Sequence, residues 1–110
     1  MTTDALIVFC TCPDPACAES MAQTLVEERL AACVNIVPGV RSVYRWQGRL
    51  ERDDESLIMI KTTAQRYGAL QDRLRSLHPY ELPEIVAVPI TTGLADYLHW
   101  IGEATTPQID

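Results

Sequence analysis

Apolar and polar positions change rhythm several times along this chain, and the changes mark its elements. Ala5-Leu6-Ile7-Val8-Phe9-Cys10-Thr11 is a short, continuous apolar run, the pattern of a strand buried on both faces. Pro13-Asp14-Pro15 interrupts it. Asp14 suits an N-cap, and Pro15 suits the first helical position, where a missing N–H is no loss. Beyond them Ala18, Met21, Ala22, Leu25, Val26 and Leu30 share one side of a helical projection, with Ser20, Gln23, Thr24, Glu27 and Glu28 opposite. That spacing predicts an amphipathic helix of about four turns.

From Val34 to Thr62 the pattern becomes two long arms rich in β-branched and aromatic residues, joined at Gln47-Gly48. At ~3.3 Å per residue, an arm of about 13 residues reaches roughly 43 Å. A compact domain of this length has a radius of gyration near 13 Å, hence a diameter of roughly 34 Å. The hairpin is therefore expected to project and to finish its sheet on a neighbouring copy, because a lone two-stranded ribbon is marginal in water. Pro38-Gly39 predicts a bulge in the first arm. The charged run Arg49-Leu50-Glu51-Arg52-Asp53-Asp54-Glu55 reads as a solvated strand edge.

Thr63 is placed to cap a second helix carrying Tyr67, Leu70, Leu74 and Leu77 at spacings of three and four, and Pro79 ends it. Glu84 to Ile90 reads as a short strand. Leu94, Tyr97, Leu98 and Ile101 form the stripe of a last short helix, and Thr105 to Asp110 reads as a loose tail. Residues 1–110 thus make a single domain of order β-α-β-β-α-β plus a terminal helix. The expected class is α+β, a ferredoxin-like four-stranded antiparallel sheet with both main helices on one face.

Composition narrows the function classes. Eight arginines and one lysine face fifteen acids, and the net charge of −6 opposes binding to nucleic acid or to an anionic membrane. No apolar run reaches the length of a membrane span. The N-terminus has no basic segment before its apolar run, so a cytoplasmic protein with four reduced cysteines is expected. There is no nucleophile elbow, no Walker loop and no G-x-G-x-x-G. Acylphosphatase chemistry, which runs on this size of fold, needs a Gly-rich phosphate cradle, and Thr11-Cys12-Pro13-Asp14-Pro15 has no glycine. The expectation is a non-enzymatic protein.

The richest chemistry lies in His78-Pro79-Tyr80-Glu81-Leu82-Pro83-Glu84. Its two prolines stiffen a loop that displays an imidazole, a phenol and carboxylates. With the first and third strands as neighbours, Cys10 and His78 could pair as metal ligands of the kind that suits copper or zinc, and a symmetric oligomer could supply more. The Cys10–Cys12 spacing does not match a zinc knuckle. Lys61, the one lysine, either neutralises Glu84 in an ion pair or meets an anionic ligand. Trp46 and Trp100 read as packing residues.

Four segments in order carry a resemblance: Glu28-Arg29-Leu30-Ala31-Ala32-Cys33-Val34-Asn35, Tyr44-Arg45-Trp46-Gln47-Gly48, Ile60-Lys61-Thr62-Thr63 and the His78–Glu84 loop. They resemble the signature segments of the CutA family of divalent-cation tolerance proteins, over roughly Ala5 to Glu103. The resemblance implies a ferredoxin-like subunit, a tight homotrimer joined through long hairpins, a cytoplasmic location and a link to tolerance of Cu(II) and other divalent metals. It implies Cys10 and His78 as metal ligands. Some members carry a second histidine just before the first, where this chain has Leu77. The implied trimer is like that of PII signalling proteins, which suggests as an alternative a small anionic effector bound in an intersubunit cleft by Lys61, Tyr80 and Glu84.

Overall fold

The computed structural model describes residues 3–108. Seven elements follow in order: β1 (Ala5–Cys12), α1 (Pro15–Glu27), β2 (Cys33–Trp46), β3 (Arg49–Thr63), α2 (Ala64–Leu77), β4 (Val86–Pro89) and α3 (Ala95–Ala104). The strands form one antiparallel sheet in the order β2-β3-β1-β4, so the ferredoxin-like arrangement read from the sequence is the one present. In β1 the alternation of side chains turns Val8, Cys10 and Cys12 toward the helices, opposite Ile60, Ile58 and Ser56 of β3. Ala18, Met21 and Leu25 of α1, with Leu70 and Leu74 of α2, close this core. No described helix is long and apolar enough to cross a membrane.

The hairpin turns through Gln47 (φ 51°) and Gly48 (φ 78°), two successive left-handed residues whose twist matches that of the flanking strands. The expected bulge lies between Val37 and Val40, where Pro38 lacks a donor and Gly39 takes φ 73°. Pairing of β1 with β3 stops at Cys12 opposite Ser56. Beyond that point Arg49–Glu55 pairs with β2 alone, and the ribbon leaves the body. The molecule measures 44 × 32 × 22 Å, and its radius of gyration of 14.6 Å exceeds the value of about 13 Å for a compact chain of this length.

Helix α1 begins as expected, with the Asp14 carboxylate accepting from Cys17 N–H at 2.8 Å. It ends in a Schellman motif: Leu30 N–H donates to Leu25 O at 2.9 Å and Arg29 N–H to Val26 O at 3.1 Å, with Arg29 itself at φ 59°. This turn leaves Val26 43% exposed, off the stripe predicted for it. At α2, Thr63 holds the N-cap position but its hydroxyl makes no bond to the helix. The first helical N–H, on Ala64, donates instead to the Asp4 carbonyl at 2.8 Å.

The chain after α2 departs from the sequence reading in three places. β4 spans only Val86–Pro89, shorter than the run from Glu84 to Ile90. Leu94 is the N-cap of α3 and 74% exposed, not part of its apolar stripe. Thr105 does not begin a loose tail: it is 1% exposed, and its hydroxyl donates to Ile101 O at 2.8 Å. Ile101 meanwhile packs on Ala5 and Ala32 in a second, smaller cluster. The last two residues of the expected tail lie outside the described region.

Arg29 occupies a backbone region where a Cβ is unfavourable and glycine is not. Arg29→Gly is expected to raise stability by about 0.5–1 kcal/mol, read as a higher urea midpoint at unchanged slope. A lower midpoint would mean that the Arg29 side chain contributes more than the conformational relief.

Candidate metal centre

The end of β1 and the turn after α2 meet at one corner of the sheet. Cys10 and Cys12, two residues apart on a strand, project to the same covered face, and both are fully buried. His78 ends α2, with its N–H on Leu74 O at 2.9 Å and an extended backbone (ψ 135°) imposed by Pro79. That bend lays the imidazole, only 8% exposed, on the end of β1. Tyr80 N–H donates to Nδ1 at 3.1 Å, so the ring proton sits on Nε2, which donates to the Thr11 carbonyl at 2.7 Å. The ligand atoms of Cys10, Cys12 and His78 lie within 4.8 Å of one another, and no other described group of three His, Cys, Asp or Glu side chains is arranged to hold an ion.

Cys10 and His78 are thus together, as the sequence reading expects, and Cys12 joins them. Comparing C-x-C with zinc-knuckle spacings hides Cys12; the alternation of a strand reveals it, because it puts both sulfurs on one face. Leu77, in the place of a second histidine, packs against the core. The thiols are coupled. A hydrogen bond with Cys12, followed by burial, holds the Cys10 proton on and pushes that thiol up, while the same bond lowers Cys12 against the opposing effect of burial. Burial also raises the nearby Cys17. Opposite Cys12 in the ladder stands Ser56, whose hydroxyl is buried without a hydrogen-bond partner.

On the solvent side of this corner a cleft of about 640 Å³ opens between the hairpin and the Pro79–Glu84 loop. Tyr80 and Glu84 line it, as do Tyr44, Trp46, Glu55 and Glu81. Trp46 therefore faces the cleft, in contrast to the packing role read from the sequence. Glu55, read as part of a solvated edge, is 7% exposed and accepts from the Tyr80 hydroxyl at 2.7 Å. Burial and this bond push the Tyr80 phenol well above its ordinary value. Tyr44 is pushed up to about 12 by its hydrogen bond to Asp53.

Lys61 is elsewhere. Its ammonium donates to Asn35 Oδ1 at 2.9 Å and lies 5.6 Å from the centre of the Tyr97 ring, toward the other end of β3. The expected pair with Glu84 does not form, and within one chain Lys61 does not join Tyr80 and Glu84.

The sequence profile of the family described as CutA1 divalent ion tolerance protein matches residues 6–104. The chain belongs to the CutA1 family. A Thermus thermophilus relative, "Divalent-cation tolerance protein CutA", is 52% identical over 99 residues, covering 90% of this chain and 96% of its own. The protein of the same description from Pectobacterium atrosepticum is 45% identical over 98 residues, covering 89% of each chain. Among solved structures, CutA from Xylella fastidiosa superposes with a TM-score of 0.92 at 47% identity, over 94% of this chain and all of that one. CutA1 membership supports a role in divalent-metal tolerance, and the family's description names an ion rather than a reaction.

The donors suit a metal ion. Two sulfurs and an imidazole are soft and borderline ligands, matched to zinc or copper and mismatched to magnesium or calcium. A metal-ligating histidine ordinarily donates its other ring N–H to a carbonyl or carboxylate. The Nε2–Thr11 bond already has that form, and Nδ1 accepts from Tyr80 N–H, so an ion at either nitrogen would replace one of these hydrogen bonds.

Tyr80 links the Cys10–Cys12–His78 cluster to the cleft, through its N–H on His78 and its hydroxyl on Glu55. Tyr80→Phe leaves a buried carboxylate without its donor and is expected to destabilise the fold by about 1–3 kcal/mol in urea unfolding at neutral pH. An unchanged midpoint would show that water replaces the phenol at no cost.

Proposed function

We propose that this protein is a non-enzymatic homotrimer that binds a metal ion through Cys10, Cys12 and His78 and so lowers the free concentration of that ion. The observation that carries the reading is the convergence of two buried thiols and an imidazole within 4.8 Å on a chain of the CutA1 family. The resemblance points to Cu(II); the thiol-rich donor set shifts the preference toward zinc and cuprous copper, because thiolates favour softer ions. An ion held there would neutralise thiolate charge in a corner that water does not reach. All four cysteines are free, which suits a reducing, cytoplasmic compartment.

The trimer rests on two supports. One is the ribbon, which outreaches the body. The other is apolar surface without cover: Val37, Val43, Leu50, Val86, Val88 and Trp100 are each more than a third exposed, more than scattered surface residues require. An anionic effector held by Lys61, Tyr80 and Glu84 has no comparable support within one chain, since the cleft that takes Tyr80 and Glu84 is acidic and lacks Lys61.

Calorimetric titration of the reduced protein with Zn(II), Cu(I) and Cu(II) tests the metal reading. Wild type should bind zinc or cuprous ion saturably, Cys10→Ser, Cys12→Ser and His78→Ala should each weaken it by about 10–100-fold, and affinity should rise with pH because binding displaces thiol protons. Equal affinity in all four proteins would sink it. Sedimentation at low micromolar concentration should show one species of about three times the chain mass of 12.3 kDa; a stable monomer would refute the trimer.

A further inference from the structure

Two thiols side by side are a source of two electrons as well as a pair of ligands. Cys10 and Cys12 project from one face of β1, fully buried, with their sulfurs within 4.8 Å and joined by a hydrogen bond. Residues two apart on a strand stand about 6.6 Å apart at Cα, inside the range of about 4.4–6.8 Å that a disulfide spans. The other two thiols are placed differently. Cys33 lies on β2, where its thiol donates to Asn35 Oδ1 at 3.8 Å. Cys17 lies in the first turn of α1, partly exposed and outside the cysteine–histidine group.

The backbone beneath the pair is free to contract. β4 pairs with β1 only from Leu6 to Phe9, so from Cys10 onward β1 is held by β3 alone. Cys12 is also the last residue of the strand, just before Pro13. Closing a bridge there disturbs the end of one ladder and leaves the core ladder intact. Because the Cα span is near the upper limit, the bridge is strained and easily reduced again. Such a disulfide does not persist in a reducing compartment unless an oxidant makes it.

We propose that the Cys10–Cys12 pair reduces Cu(II) to Cu(I) and closes to a disulfide, so that the protein is a copper reductant and not only a copper ligand; this rests on the metal reading in that the ion must reach the thiols. The step balances. Each thiol gives up its proton to water and one electron to a Cu(II) ion, the two sulfurs form one S–S bond, and two Cu(I) ions result. Cu(II) is thereby converted to the softer ion that sulfur ligands favour. The closed form has lost both thiolate ligands and holds metal weakly. A small dithiol reopens it by exchange through a mixed disulfide and is itself oxidised. Zinc has no redox chemistry and is bound without closing the bridge.

The test is addition of Cu(II) to the intact, reduced protein without oxygen, with bicinchoninate present to trap and report Cu(I). Two Cu(I) should appear per chain, and free thiols should fall from four to two. The intact mass should drop by two hydrogens. Peptide mapping after alkylation should join Cys10 to Cys12 and find Cys17 and Cys33 alkylated, and a parallel run without the chelator should give the same map. Cys33→Ser should behave as wild type, and Cys12→Ala should lose both the bridge and the Cu(I) signal. The proposal is overturned if thiol count and mass do not change, if the bridge joins Cys17 or Cys33 instead, or if Cys12→Ala yields as much Cu(I) as wild type. The wild-type map decides even where the alanine variant does not fold. Zinc titration separates this proposal from the metal reading. Zinc binding with no Cu(I) formed overturns the reductant and leaves the metal centre standing, whereas a Cys10–Cys12 bridge in a protein that never binds zinc supports the reductant alone.

Discussion

β1 runs against β3 from Ala5 opposite Thr63 to Cys12 opposite Ser56. Because side chains alternate, this one register decides which residues face the helices, and a slip of a single residue would turn the whole set over. It would expose Val8, Cys10 and Cys12 and bring Ile7, Phe9 and Thr11 inward. The same register decides where β1 ends along β3, and therefore where the ribbon parts from the body. Core, buried thiol pair and projecting hairpin are three results of one ladder.

The elements with local chemical markers were legible in the sequence. Asp14-Pro15 marks the start of α1, Pro38-Gly39 the bulge and Gln47-Gly48 the turn, and each works through its own backbone or cap and needs no partner. What depended on tertiary placement was not. Glu55 sits in a run of charges that reads as solvated, and it is buried because the loop after α2 folds over it. Lys61 and Glu84 have opposite charges, but the sheet register sets Lys61 toward Asn35 and Tyr97. Thr63 has the right side chain for a cap, and a backbone carbonyl from the start of the chain satisfies the helix first.

Cys12 lies between these cases. Its partners are set by the fold, but its companionship with Cys10 is local: any strand assignment puts the two sulfurs on one face. His78 reaches them because Pro79 denies it a helical conformation. Both ring nitrogens are then committed, Nε2 to Thr11 and Nδ1 to Tyr80. The imidazole is therefore oriented by the backbone on either side, with neither ring nitrogen left free.

The bulge in β2 bears on how copies of this chain meet. β2 is an outer strand of the sheet, and an outer strand offers unpaired backbone groups to any strand of matching length. Here that offer is broken near its middle, where Pro38 has no N–H and Gly39 swings the backbone out of register. A foreign strand can follow one half of the edge but not run straight through. Pro89 ends the short strand on the opposite edge. Sheet growth is thus interrupted at both margins, which favours closed assemblies of few subunits over fibres.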